Sequence, residues 1–161
     1  MRSPDRQLSR DFRLSEWPCW ELASAVEVAQ LQQLTRDVLQ PARDRWGAIR
    51  PTSWRWWRDG CRPRTGDHAA GAVDVVPLAA STREVARWLG EHRHGRFGRV
   101  LDEGDHLHIT PPGVGDGKVY AMRPDGSLVE LELRYGTGRA SGGRDWAAAG
   151  LLLVALLVAA R

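Results

Sequence analysis

The chain has 161 residues and five histidines, and the acids beside three of those histidines are the first place to look for chemistry. His106 and His108 stand two apart in His-Leu-His-Ile-Thr, a run with strand character. Side chains alternate across a strand, so both imidazoles leave one face while Leu107 and Ile109 point toward the core. Asp102, Glu103 and Asp105 come just before them. Imidazole nitrogen and carboxylate oxygen are ligands that Zn²⁺ accepts. Alone, a His-x-His pair is better read as a solvated strand end. His92 and His94 make a second such pair in a Gly/Arg-rich stretch that reads as solvated surface.

A second cluster runs Asp67-His68-Ala-Ala-Gly71-Ala-Val-Asp74-Val-Val-Pro77. Asp74 lies inside an apolar strand, and a buried carboxylate needs a partner. A metal is one candidate partner and an arginine is the other. Gly71 lets the loop turn tightly and bring His68 beside Asp74. Two histidine–acid clusters make a shared metal site more credible than either does alone. A third feature is Thr52-Ser53-Trp54-Arg55, where an arginine just after an extended segment can hold a carboxylate or an oxyanion. The run from Arg50 to Arg64 carries five Arg and three Trp. That mix also suits single-stranded nucleic acid, where bases stack on Trp, but this reading leaves the order of the histidines unexplained. Nucleic acid is therefore not expected as a partner.

The elements that must position these groups follow from periodicity. Val28, Leu31, Leu34, Val38 and Leu39 recur at helical spacing, which predicts a helix over 21–46 with a kink or new turn at Pro41 and a stop at Gly47. Residues 48–53 read as extended, and 54–67 as irregular. Residues 72–76 form a strand ended by Pro77. Ser81-Thr-Arg-Glu84 is a capping box opening a helix whose stripe is Val85, Trp88 and Leu89. Strands are expected at 98–101 and 106–110, and a hairpin joins 118–122 to 127–133 about Pro124-Asp125-Gly126. The fold class is α+β: a small, mostly antiparallel sheet flanked by helices, with a C-terminal hydrophobic helix.

Four segments are expected: an N-terminal segment 1–20, a metal-site domain 21–136, a flexible linker 137–145 and a hydrophobic tail 146–161. Trp146 to Ala160 holds no charge. As a helix it spans roughly 22 Å, short of the roughly 30 Å hydrocarbon core, and it reads as a membrane or oligomer contact. The N-terminus has no apolar stretch of the kind a secretory signal needs. Localisation stays open, with membrane association through the tail as one alternative. Hydrophobic residues are 42% and charged residues 27%, which excludes a disordered chain, a collagen-like fibre, a disulfide knot and a multi-pass membrane protein. A net charge of +3, carried by 22 Arg and one Lys, does not by itself argue for nucleic acid and suits an anionic polymer such as a cell wall equally well. Cys19 and Cys61 belong to no Cys-x-x-Cys pair. They read as two free buried thiols, with one disulfide as the alternative in an oxidising compartment.

The order Val-Leu-Gln-Pro-Ala-Arg (38–43), Ser53-Trp-Arg55, His68-x-x-Gly71-x-x-Asp74, then Glu103 and His106-Leu-His108 resembles the zinc D-Ala-D-Ala carboxypeptidases, and most closely their small phage and prophage versions. They belong to a wider group with lysostaphin-type peptidases and the hedgehog signalling domain. The resemblance spans about residues 11–112. It implies a zinc held by His68, Asp74 and His108, with His106 as a transition-state or supporting residue. It implies a general base just upstream, either Glu103 or Asp105. Arg55 matches the family's substrate-contacting arginine, with Ser53 beside it. Two positions depart from the family pattern: Gly66 stands where a serine is usual, and Asp74 follows His68 by six residues instead of seven. The implied activity is Zn²⁺-dependent hydrolysis of peptidoglycan stem peptides, as a carboxypeptidase or an endolysin-type endopeptidase. The second expectation is a catalytically silent, zinc-stabilised structural or wall-binding relative in a phage particle.

Overall fold

The computed structural model describes residues 4–55 and 61–133. The linker and the hydrophobic tail expected at 137–161 lie outside the described residues. Within them the fold is α+β, with a two-stranded antiparallel sheet and a six-stranded mixed sheet. Among the described residues no helix is long and apolar enough to cross a membrane.

The N-terminal residues are part of the core. Strands β1 (Gln7–Ser9) and β2 (Phe12–Arg13) form the small sheet, and Leu8, Phe12, Leu14 and Trp17 are buried. The helical layer begins later than the periodicity predicts. A 3-10 turn at Trp20–Leu22 precedes helix α1 (Ala25–Leu34). Ser24 and Glu27 close a capping box at its start, which satisfies orphan backbone donors and sets the boundary. The kink expected at Pro41 is a widened turn, Thr35–Leu39, in which the Gln40 N–H reaches back to the Thr35 carbonyl. Proline has no N–H and its ring crowds the carbonyl four residues back, so the helix opens before it. Helix α2 (Gln40–Trp46) follows and ends at Gly47, whose φ of 79° suits glycine.

Two residues of the 38–43 motif tie this layer to the small sheet. The Gln40 side chain accepts from Ser9 Oγ and the Asp11 N–H, both at 2.9 Å, and donates to Asp11 and Asp44, both at 2.7 Å. Arg43 donates to the Asp11 carbonyl and lies over the Phe12 ring.

The large sheet has the order β3-β4-β6-β5-β7-β8, made of β3 (Ile49–Ser53), β4 (Val73–Pro77), β5 (Arg99–Asp102), β6 (Leu107–Thr110), β7 (Val119–Met122) and β8 (Leu128–Glu130). Every pair is antiparallel except β5 with β7. Helix α3 (Thr82–His92) starts at the Ser81–Glu84 capping box and buries Val85, Ala86 and Leu89. The two-residue period puts Ile49, Val73, Val75, Val100, Leu107, Ile109, Val119 and Ala121 in the core. The opposite face carries one continuous row of paired positions: Ser53, Asp74, His108, Leu101, Tyr120 and Glu130.

The expectation of free thiols is corrected. Cys19 and Cys61 are joined by a disulfide across a sequence separation of 42. Nothing local in the sequence brings them together. The N-terminal segment folds back against the start of the β3–β4 connection, where Trp54 donates its indole N–H to the Pro18 carbonyl at 2.6 Å and packs on Trp17.

Candidate metal centre

Asp74 and His108 are directly paired across β4 and β6, which places both on the face turned away from the core. His68 arrives from outside the sheet. It sits on a short 3-10 turn, Gly66–His68, that folds over β4. Gly71, at φ 99°, allows the chain to turn back and re-enter the sheet at Val73, five residues after His68. The six-residue spacing therefore closes: His68 Nε2 lies 3.3 Å from Asp74 Oδ2, and His108 Nδ1 lies 2.9 Å from Asp74 Oδ1. The two imidazoles meet edge-on with centroids 4.7 Å apart. One ligand atom from each of His68, Asp74 and His108 falls within 4.8 Å of the others, so the group could hold a metal ion. Side-chain exposures of 8%, 9% and 12% shelter the group from bulk water without sealing it.

The second nitrogen of each ring is also engaged. His68 Nδ1 donates to the Ala72 carbonyl at 3.0 Å, which leaves Nε2 directed at Asp74. His108 Nε2 faces Asp67 Oδ2 at 3.6 Å, and Asp67 is approached in turn by Arg99 at 3.8 Å. Partners of this kind set the tautomer and the orientation of ligating imidazoles. Burial alone would push the Asp74 carboxyl up. Hydrogen bonds from His108 and His68, charge on His68 and a hydrogen bond from Arg64 outweigh it and hold the group well below the usual carboxylate range.

His106 stands on the same side, as the His-x-His alternation predicts. Its Nε2 is 3.9 Å from Asp74 Oδ1 and 3.4 Å from Glu103 Oε2, while its Nδ1 donates to Asp105 at 2.7 Å. The two acids thus differ in position. Glu103, 27% exposed, lies on the side of the ring that faces Asp74, and Asp105, 87% exposed, lies on the outer side. Asp102 belongs to the core face instead, where Arg83 and the Gly104 N–H hold it at the β5–β6 turn. Beside the triad an open cleft of about 440 Å³ is lined by Arg50, Thr52, Asp74, Val76, Asp105 and His106.

Arg55 stands apart from the triad. It pairs with Glu27 on α1 and donates to the Ala69 carbonyl at 2.5 Å, so it braces the loop that follows His68. Ser53 is at the edge of the site and accepts a hydrogen bond from Arg64. Arg64 is the residue that sequence reasoning missed. Its Nη1 donates to Asp74 Oδ2 at 2.9 Å. An arginine was one of the two partners for Asp74 that the sequence left open, and five arginines between 50 and 64 gave no reason to prefer this one. His92, by contrast, donates to the Trp88 carbonyl and stacks on the Trp88 ring, away from the site.

No protein-family model, curated protein or solved structure matches the chain.

Proposed function

We propose that this chain is a zinc-dependent peptidase that hydrolyses the stem peptides of peptidoglycan. The observation that carries the reading is a sheltered two-histidine, one-carboxylate group at the end of an open cleft, with a second histidine–carboxylate pair alongside. Two imidazoles and one ionised carboxylate form a donor set suited to Zn²⁺, and three protein ligands are the number found in catalytic zinc sites. His68 Nε2, Asp74 and His108 Nδ1 would hold the ion. When bound, zinc supplies Lewis acidity toward the scissile carbonyl and lowers the pKa of water.

The chain's own groups account for the proton traffic. Glu103 stands 3.4 Å from His106 Nε2, the ring nitrogen nearer Asp74, and would take the proton of the attacking water and later give it to the leaving amine. Asp105 accepts from the Nδ1–H of His106, and with Nε2 also protonated, as the imidazolium, that ring would donate from Nε2 to the oxygen on which negative charge develops. Glu103 is preferred over Asp105 because it lies on the inner side of that ring. Arg50, exposed at the cleft wall, gives a peptide carboxylate a cationic neighbour, and Val76 beside it gives an apolar one. The order of motifs that resembles the zinc D-Ala-D-Ala carboxypeptidases points to the same substrate class.

Purified stem-peptide fragments incubated with Zn²⁺-loaded protein, with and without EDTA, test this by mass spectrometry. An EDTA-sensitive product identifies the bond cut. Absence of product with zinc bound favours the silent, wall-binding relative instead.

A further inference from the structure

The structure assigns Arg64 a positioning role: it holds the second oxygen of Asp74 so that the carboxylate offers one oxygen to a metal, and the Cys19–Cys61 disulfide holds Arg64 in place. The inference rests on the metal-binding reading of His68, Asp74 and His108, and not on peptidase activity.

Three observations converge on it. Asp74 divides its two oxygens between two sides. Oδ1 meets His108 at 2.9 Å, and Oδ2 accepts from Arg64 at 2.9 Å with His68 at 3.3 Å. Asp74 is the only carboxylate in the ligand group, so its orientation decides whether the three donors converge. Arg64 is well placed to set that orientation. Its side chain is only 14% exposed, and the same Nη1 also reaches Ser53 Oγ. A planar guanidinium bonded to two fixed oxygens has little freedom left.

Arg64 comes from neither sheet nor helix. It lies on the connection between β3 and β4, three residues after Cys61. Its backbone N–H donates to the Arg55 carbonyl at 2.9 Å, next to a one-residue bridge at Pro63. The disulfide supplies the covalent tie, to a segment anchored in the core by Trp17. Loss of the disulfide therefore frees the stretch that delivers Arg64, while leaving the three ligands on β4, β6 and the His68 turn. Metal affinity then depends on a bond that forms in oxidising compartments and is kept open in reducing ones.

The test is Zn²⁺ affinity, measured by competition with a chromophoric chelator on the full chain at a temperature where circular dichroism shows each variant folded. Arg64→Gln is expected to weaken binding by about 10–100-fold, the range for residues that orient metal ligands. Arg83→Gln, which removes an equal charge at Asp102, is expected to leave it unchanged. The visible spectrum of bound Co²⁺ is expected to change in Arg64→Gln and not in Arg83→Gln, because the freed carboxylate alters the coordination. Cys19→Ser/Cys61→Ser is expected to lose affinity to a similar degree. Adding Arg64→Gln to that pair is expected to cost nothing more, since both changes remove the same contact. Unchanged or tighter binding in Arg64→Gln overturns the positioning role. Losses that multiply in the triple variant overturn the link through the disulfide. A wild-type chain that binds no Zn²⁺ fails the metal reading itself, and this inference with it.

Discussion

Replacing Cys19 and Cys61 by serine gives the clearest quantitative expectation for the fold. The bond spans 42 positions in sequence and encloses α1, α2 and β3. Cross-linking a loop of that length lowers the entropy of the unfolded chain by an amount worth about 4 kcal/mol at 25 °C. For a chain of this size, each kcal/mol corresponds to roughly 2–4 °C in Tm, so the double variant should melt roughly 8–16 °C below the wild type. The unfolded variant is also less constrained and exposes more surface, so its denaturant m-value should rise. Urea unfolding followed by circular dichroism gives both quantities. A loss below about 1 kcal/mol with an unchanged m-value would show that the bond does not constrain the unfolded chain, and would refute the reasoning.

Further outcomes are expected from the site. Zn²⁺ at a hundredfold excess over its Kd should stabilise the chain by about 2.7 kcal/mol, seen as a rise of roughly 5–11 °C in differential scanning calorimetry. That rise should vanish with EDTA and in His108→Ala, and a shift that survives His108→Ala would move the ion elsewhere. Glu103→Gln should keep zinc affinity within a few-fold yet lower kcat by about 10²–10⁴-fold, whereas Asp105→Asn should lower it less; equal losses would remove the distinction drawn between the two acids. The acid limb of stability tests Asp102. Burial would raise its pKa, but hydrogen bonds from Thr82, Arg83 and the Gly104 N–H outweigh burial and set it below the ordinary 3.8. A folded value below the unfolded one stabilises the protein above about pH 4 and fades as pH falls through the folded value. Asp102→Asn should therefore flatten the fall in stability below pH 4, and a superimposable limb in urea titrations would contradict this.

Much of the site was legible because it follows from local rules. Alternation through β6 and the residue before it put His106 and His108 on one face and Leu107 and Ile109 on the other. An acid inside the apolar run of β4 demanded a partner. The capping box at Ser81 and the stop at Gly47 are chemistry of single turns, and both recur in the fold. The late start of α1 was within reach as well, since Ser24 and Glu27 form the same kind of box.

Pairing between distant segments was decided by the tertiary structure alone. The sequence carries the residue types and the two-residue period, which choose a face for each side chain. It does not carry the register that sets Asp74 against His108, because strands of similar apolar pattern pair acceptably in several ways until the whole sheet is packed. The choice of Arg64 among five neighbouring arginines, the use of Arg55 as a brace on Glu27, and the joining of Cys19 to Cys61 have the same origin. Each depends on where a segment without regular structure comes to rest, and that is fixed by the core it packs against and not by its own residues.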